Sequence, residues 1–181
     1  MSQTELEARV RRLEDRFAIR ELVARYSAAV DDRDVDAIVD CFTRDGAFVG
    51  QANRDTRGSE AIRAYYRSRI SRFGASFHYP HAFITEFDGD DDAHGVVSAH
   101  AEMAIAGEAV WTALRYHDRY RREEGRWRFA ERSLRFWYFM KLSELPKGMA
   151  EELRVRVDGG LHPAELPESL PTYQRLRDES G

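Results

Sequence analysis

The sequence predicts an α+β fold, with a long helix and two shorter ones packed on a curved antiparallel sheet. Two observations carry this. Up to residue 73, apolar residues recur at three- and four-residue steps, the helical period. After Gly74 the period becomes twofold, in runs separated by turn residues. Helices followed by a strand meander leave a cone-shaped cavity at one end of the sheet, a natural place for a ligand.

The elements follow in order. Leu6, Val10, Leu13 and Phe17, then Leu22, Val23, Tyr26 and Val30, form one stripe of a helix over residues 4 to 31. The first part of that helix is expected to fray or to pack on a neighbouring subunit. Asp31-Asp32-Arg33-Asp34 breaks the pattern, and Asp34 suits the cap of a short second helix with Val35, Ile38, Val39 and Phe42 inward. Residues 46–50 read as a short strand and Gln51 to Gly58 as a loop. Ser59 is placed to cap a third helix, Glu60 to Phe73, with Ile62, Tyr65, Tyr66 and Ile70 inward. Four strands are expected over residues 76–87, 93–105, 108–121 and 126–139, joined by Asp- and Gly-rich turns. Pro80 cannot donate to a ladder and marks an edge or a bulge. Residues 1–142 make one domain. Residues 143–181 read as an irregular tail, with one helical turn near Pro146, that covers the pocket or an adjacent subunit.

Composition narrows the function. A chain of 181 residues, 43% hydrophobic and 12% aromatic, is large enough for a sizeable core without covalent staples. The net charge is -4 and the 28 basic residues are interspersed among 32 acidic ones, so no basic face for nucleic acid is expected. The charge run from Arg119 to Arg128 reads as a solvated hairpin. No apolar run approaches the ~20 residues of a membrane helix, and the opening residues lack the apolar centre of a signal peptide. The single cysteine, Cys41, excludes an internal disulfide, reads as a small buried hydrophobe and fits a reducing cytoplasm.

No Walker-type glycine loop, dinucleotide fingerprint or nucleophile elbow is present. His78 and His81 are three apart on a strand, so without a bulge they face opposite ways, and no further ligands stand at metal spacing. No metal is expected. What remains is a set of polar and aromatic side chains entering an aromatic-rich cavity: Tyr26, Asp31, Tyr65, Tyr66, His78, His81, His100, Tyr116, Arg132 and Trp137. Each has a structural reading as well, as core, rim or helix-end residue. From the residues alone, a pocketed α+β domain is the reading.

Three segments carry a resemblance. Residues 19–26 (IRELVARY), 30–37 (VDDRDVDA) and 41–48 (CFTRDGAF), with the closing hairpin 118–129 (DRYRREEGRWRF), resemble SnoaL-like proteins of the nuclear transport factor 2-like superfamily. Within it the chain is most similar to the subgroup of scytalone dehydratase, lindane dehydrochlorinase and bile-acid dehydratase. The resemblance implies a dyad. Asp31 falls on a carboxylate that ends the first helix, and His78 on a strand histidine, seventeen residues before Gly95. It also places Tyr26 and Arg132 among the catalytic residues. Tyr66, His81, His100, Tyr116 and Trp137 are expected to line the substrate pocket. The chain departs from the pattern at Val97, where scytalone dehydratase has a second histidine, and at Ala101, where the bile-acid enzyme's second acid falls.

The function so implied is a cofactor-independent lyase of the dehydratase type. Its substrate is expected to be a hydrophobic cyclic or aromatic small molecule such as a polyketide, steroid or lignin-derived aromatic. His78 acts as base and Asp31 orients it. The alternatives are an isomerase or polyketide-type cyclase with the same base, and a non-catalytic binding or assembly subunit. A homo-oligomer is expected, with a trimer favoured over a dimer.

Overall fold

The computed structural model describes residues 1–50, 55–157 and 159–180. Ser2 and Glu5 form a capping box at the start of helix α1 (Gln3–Asp31). Only its second half faces the core, through Ile19, Leu22, Val23, Tyr26 and Val30. Leu6, Val10, Leu13 and Phe17 are exposed. The opposite grip comes from arginines at four-residue steps. Arg12 lies 4.1 Å from the Phe87 ring centroid and Arg20 lies 4.8 Å from that of Phe83. Asp15 fixes the helix to the far hairpin by accepting from Trp127 Nε1 (2.9 Å) and Arg122 (2.5 Å).

Helix α2 (Val35–Asp40) is capped by Asp34, whose carboxylate accepts from the Ala37 amide at 2.9 Å. Phe42 does not continue it. It opens strand β1 (Phe42–Val49), which pairs antiparallel with β2 (Asp55–Arg57). Residues 55–57 of the expected loop are therefore a strand. Residues 51–54 of it lie outside the described residues. Helix α3 (Ser59–Ile70) begins after Gly58, whose φ of 85° favours glycine. Ser59 is thus the first helical residue rather than the cap.

The sheet continues through β3 (Phe73–Phe87), β4 (Asp92–Ile105), β5 (Glu108–Glu123) and β6 (Arg126–Lys141). Its order is β2-β1-β6-β5-β4-β3. β1 runs parallel to β6. The sheet is therefore mixed rather than antiparallel throughout, and it does not close, since β2 and β3 are both edges. In β4, Gly95 has no room for a side chain. A Cβ there would stand 2.2 Å from the Ile84 carbonyl oxygen.

After a 3-10 turn over Leu142–Glu144 come α4 (Leu145–Gly148), β7 (Val155–Val157), β8 (Gly160–His162) and α5 (Pro171–Ser180). β7 pairs parallel with β6, and Val155 and Leu166 are fully buried. Val155 and Ala164 pack into the same hydrophobic core as the helices and the sheet. Among the described residues no helix is long and apolar enough to cross a membrane.

The core sits between the second half of α1 and the concave face. Tyr26 is at its centre, edge-on to Phe42, Tyr66, Tyr116 and Phe129. Each such ring, fully buried, contributes about 1.5–3 kcal/mol. Their edge-to-face packing also holds the residues of the cavity wall in fixed rotamers.

Candidate active site

Asp31 is the last residue of α1, and the helix ends against β3 at residues 76–78. There the Asp31 carboxylate receives three donors. His78 Nδ1 stands 2.6 Å from Oδ1, the His78 backbone N–H donates to Oδ2 at 2.9 Å, and Ser76 Oγ donates to Oδ1 at 3.3 Å. A carboxylate only accepts, so a neutral His78 ring carries its proton on Nδ1 and leaves the Nε2 lone pair free. His78 lines a cavity. Asp31 stands behind it and does not.

Arg33, a residue the sequence did not point to, locks this corner. Its φ of 65° turns the chain back after the helix. Its guanidinium then donates to Asp31 O (2.6 Å), to Ser76 Oγ (2.9 Å) and to Gly74 O. The helix end and the strand are thus tied together on either side of the Asp31–His78 contact.

The cross-strand row shows why there is space beside His78. His78 faces Ala101, Ala101 faces Thr112, and Thr112 faces Phe139. Ala101 is fully buried and small. The cavity encloses about 50 Å³ beneath α3, with Tyr26, Tyr65, Tyr66, Tyr116 and Thr112 as its uncharged polar lining. The Tyr26 and Tyr66 hydroxyl oxygens are 2.5 Å apart. Burial raises both phenols well above the usual tyrosine range, so both keep their protons. Tyr66 and Tyr116, two of the residues expected at a substrate pocket, line this cavity.

Arg132 is elsewhere. It is fully buried and makes a two-pronged pair with Asp118, 3.0 Å at each prong. Tyr120 adds a third bond to Asp118 at 2.9 Å. The guanidinium carbon sits 3.9 Å from the Tyr116 ring centroid and 4.4 Å from that of Tyr26. Nη1 has no hydrogen-bond partner. The faces of these rings compensate it in part. Burial works against the charged guanidinium, but Asp118 with Tyr116 and Tyr26 together outweigh it and hold the group protonated. Arg132, expected among the catalytic residues, does not line this cavity: it stands behind Tyr26 and Tyr116.

Three other expected pocket residues are not on the cavity wall, and strand geometry gives the reason. His81 is the unpaired residue of a bulge between the Pro80–Ala99 and Ala82–Ser98 pairs, so the inward face runs through residues 76, 78 and 80 and resumes at 83. His81 is exposed and stacks on His100, ring centroids 4.5 Å apart. His100 lies on the outer face of β4, opposite in parity to the buried Ala101 and Val97. Trp137 is the unpaired residue of a second bulge, between the Ala113–Tyr138 and Leu114–Phe136 pairs, and it meets Arg115 at 5.4 Å. Val97, at the second-histidine position, faces inward beside Tyr116. Burial pushes the Cys41 thiol up to about 11, which leaves it inert near neutral pH. Among the described residues no three His, Cys, Asp or Glu side chains come together as a metal cluster.

Comparison with known proteins places the fold. Residues 11–133 match the SnoaL-like domain family. The fold is similar to hexachlorocyclohexane dehydrochlorinase LinA-type3 from Novosphingobium barchaimii, with a TM-score of 0.69 at 22% identity over 74% of this chain and 94% of that one. It is similar to a protein from Novosphingobium aromaticivorans provisionally named a scytalone dehydratase, with a TM-score of 0.68 at 19% identity over 72% and 89%. A third, provisionally named an aromatic ring hydroxylase from the same organism, has a TM-score of 0.67 at 27% identity over 75% and 98%. No curated protein matches the chain.

Proposed function

The chain belongs to the SnoaL-like family, and from that premise we propose that it is a lyase that eliminates water or halide from a small hydrophobic ring compound. One observation carries the reading: His78 Nδ1 stands 2.6 Å from the Asp31 carboxylate while His78 itself lines a cavity. His78 Nε2 takes a proton from a carbon next to an activating group. The C–H electron pair becomes the new double bond, and the leaving group departs from the adjacent carbon. Asp31 stabilises the imidazolium that forms, and returning that proton to a departing hydroxide yields water. Tyr26 and Tyr66 share one hydrogen bond, and the hydroxyl that accepts it keeps its own proton to donate to developing negative charge at the cavity. Arg132 favours that charge from behind Tyr26 and Tyr116, as a positioning residue. Proton abstraction by this dyad calls for no cofactor.

Size bounds the substrate. A cavity of about 50 Å³ holds about four water centres, roughly 120 Å³ of liquid. That is the scale of one six-membered ring. The test is a panel of single-ring compounds with a hydroxyl or halogen β to a carbonyl or aryl group, incubated with the protein. A new conjugated double bond, read by ultraviolet absorbance and released halide or water, is the expected result. The Tyr26–Tyr66 pair also suits an enolate, which favours isomerisation as the second reading. Solvent deuterium entering recovered substrate without any elimination would select it. A panel that yields neither outcome counts against catalysis.

A further inference from the structure

We propose that Arg69 selects the substrate class of this cavity: hydrophobic molecules that carry a carboxylate. The inference rests on the elimination site proposed above and extends it. Arg69 is on the last turn of α3 and lines the same cavity as His78. It is the one arginine or lysine on that wall, and no Asp or Glu side chain shares it. Among the described residues the Arg69 guanidinium makes no hydrogen bond and no ion pair. Its recorded contact is with the Phe73 ring, at 5.9 Å.

A half-buried guanidinium beside aromatic walls loses hydration and gains nothing until an anion arrives. Arg63, one and a half turns earlier on the same helix, shows the ordinary arrangement: it is paired with Asp36. Complementing the helix dipole does not explain Arg69 either, because the exposed Arg67 already supplies a cation to that turn. The acceptor must therefore come from the ligand.

The chemistry points to a carboxylate rather than a phosphate. A single planar fork matches two coplanar oxygens. A phosphate is ordinarily held by several donors, and this wall offers one guanidinium and no helix N-terminus. A ring compound held by its carboxylate at Arg69 presents its other end to His78 Nε2. Such a carboxylate adds affinity and fixes which carbon meets the base.

The experiment is calorimetric titration with two acids and their neutral amides: cyclohexanecarboxylate with cyclohexanecarboxamide, and 3-phenylpropionate with 3-phenylpropanamide. In the wild type each acid should bind about tenfold or more tightly than its amide. Arg69→Gln should erase that preference, and Arg69→Lys should keep part of it. His78→Ala should keep it in full, which separates this proposal from the dyad: lost turnover with retained preference concerns His78 alone. Equal affinity of acid and amide in the wild type overturns the proposal. So does a preference that survives Arg69→Gln, or the failure of both acids to bind.

Discussion

Replacing His78 by alanine is expected to lower turnover by about 10²–10⁴-fold, the usual contribution of a general base. The fold should survive. His78 lies on an edge strand, and the one hydrogen bond its ring makes is to Asp31. Asp31→Asn is the sharper variant. It preserves shape and keeps an acceptor oxygen, but it removes the charge that stabilises the imidazolium, so a loss approaching that of His78→Ala is expected. Both effects belong in kcat more than in KM, because neither group need bind the substrate in its ground state. Steady-state kinetics on a substrate from the elimination panel, with circular dichroism as the folding control, measures this. Unchanged turnover in both variants would sink the dyad.

The largest effect on stability is expected at Arg132. Its pair with Asp118 is fully buried, so Arg132→Met leaves a carboxylate in the core with Tyr120 as its remaining side-chain partner. Breaking such a pair costs about 3–5 kcal/mol. Urea unfolding should show that loss as a lower midpoint at unchanged slope. Adding Asp118→Leu should recover a large part of it, because two apolar side chains remove both unmet charges together. A loss below ~1 kcal/mol in the single variant would mean that the core relaxes around Asp118 and that the pair does not hold Tyr26 and Tyr116 in place.

Much of this was legible in the sequence. The helical stripe from Leu22 to Val30, the Asp34 cap and the four long strands were readable, because period and turn chemistry are local signals. Pairing direction was not. Phe42 continues the apolar spacing of α2, and nothing local says that it joins a strand parallel to β6. Side-chain facing failed wherever a bulge intervened: His81 and Trp137 are both the extra residue of a bulge, and one inserted residue reverses the alternation. His78 and Asp31 are 47 positions apart. Their contact followed from the family resemblance, and only the fold supplies its geometry. Arg33 and Ser76 left no signal, since an arginine in an acidic helix end and a serine at a strand start are ordinary. Arg69 carries no local signal either, as an arginine on the last turn of an amphipathic helix. Its place on the cavity wall depends on where α3 crosses the sheet.

The central claim is that Asp31 holds the His78 proton on Nδ1 and leaves Nε2 open to the cavity. Long-range proton–nitrogen correlation spectra of the histidine rings test it without any substrate. At a pH where His78 is neutral, the account predicts a single Nδ1–H tautomer for His78, and loss of that preference in Asp31→Asn. An Nε2–H tautomer in the wild type would contradict it, because a ring with its proton facing the cavity has no lone pair there to act as the base.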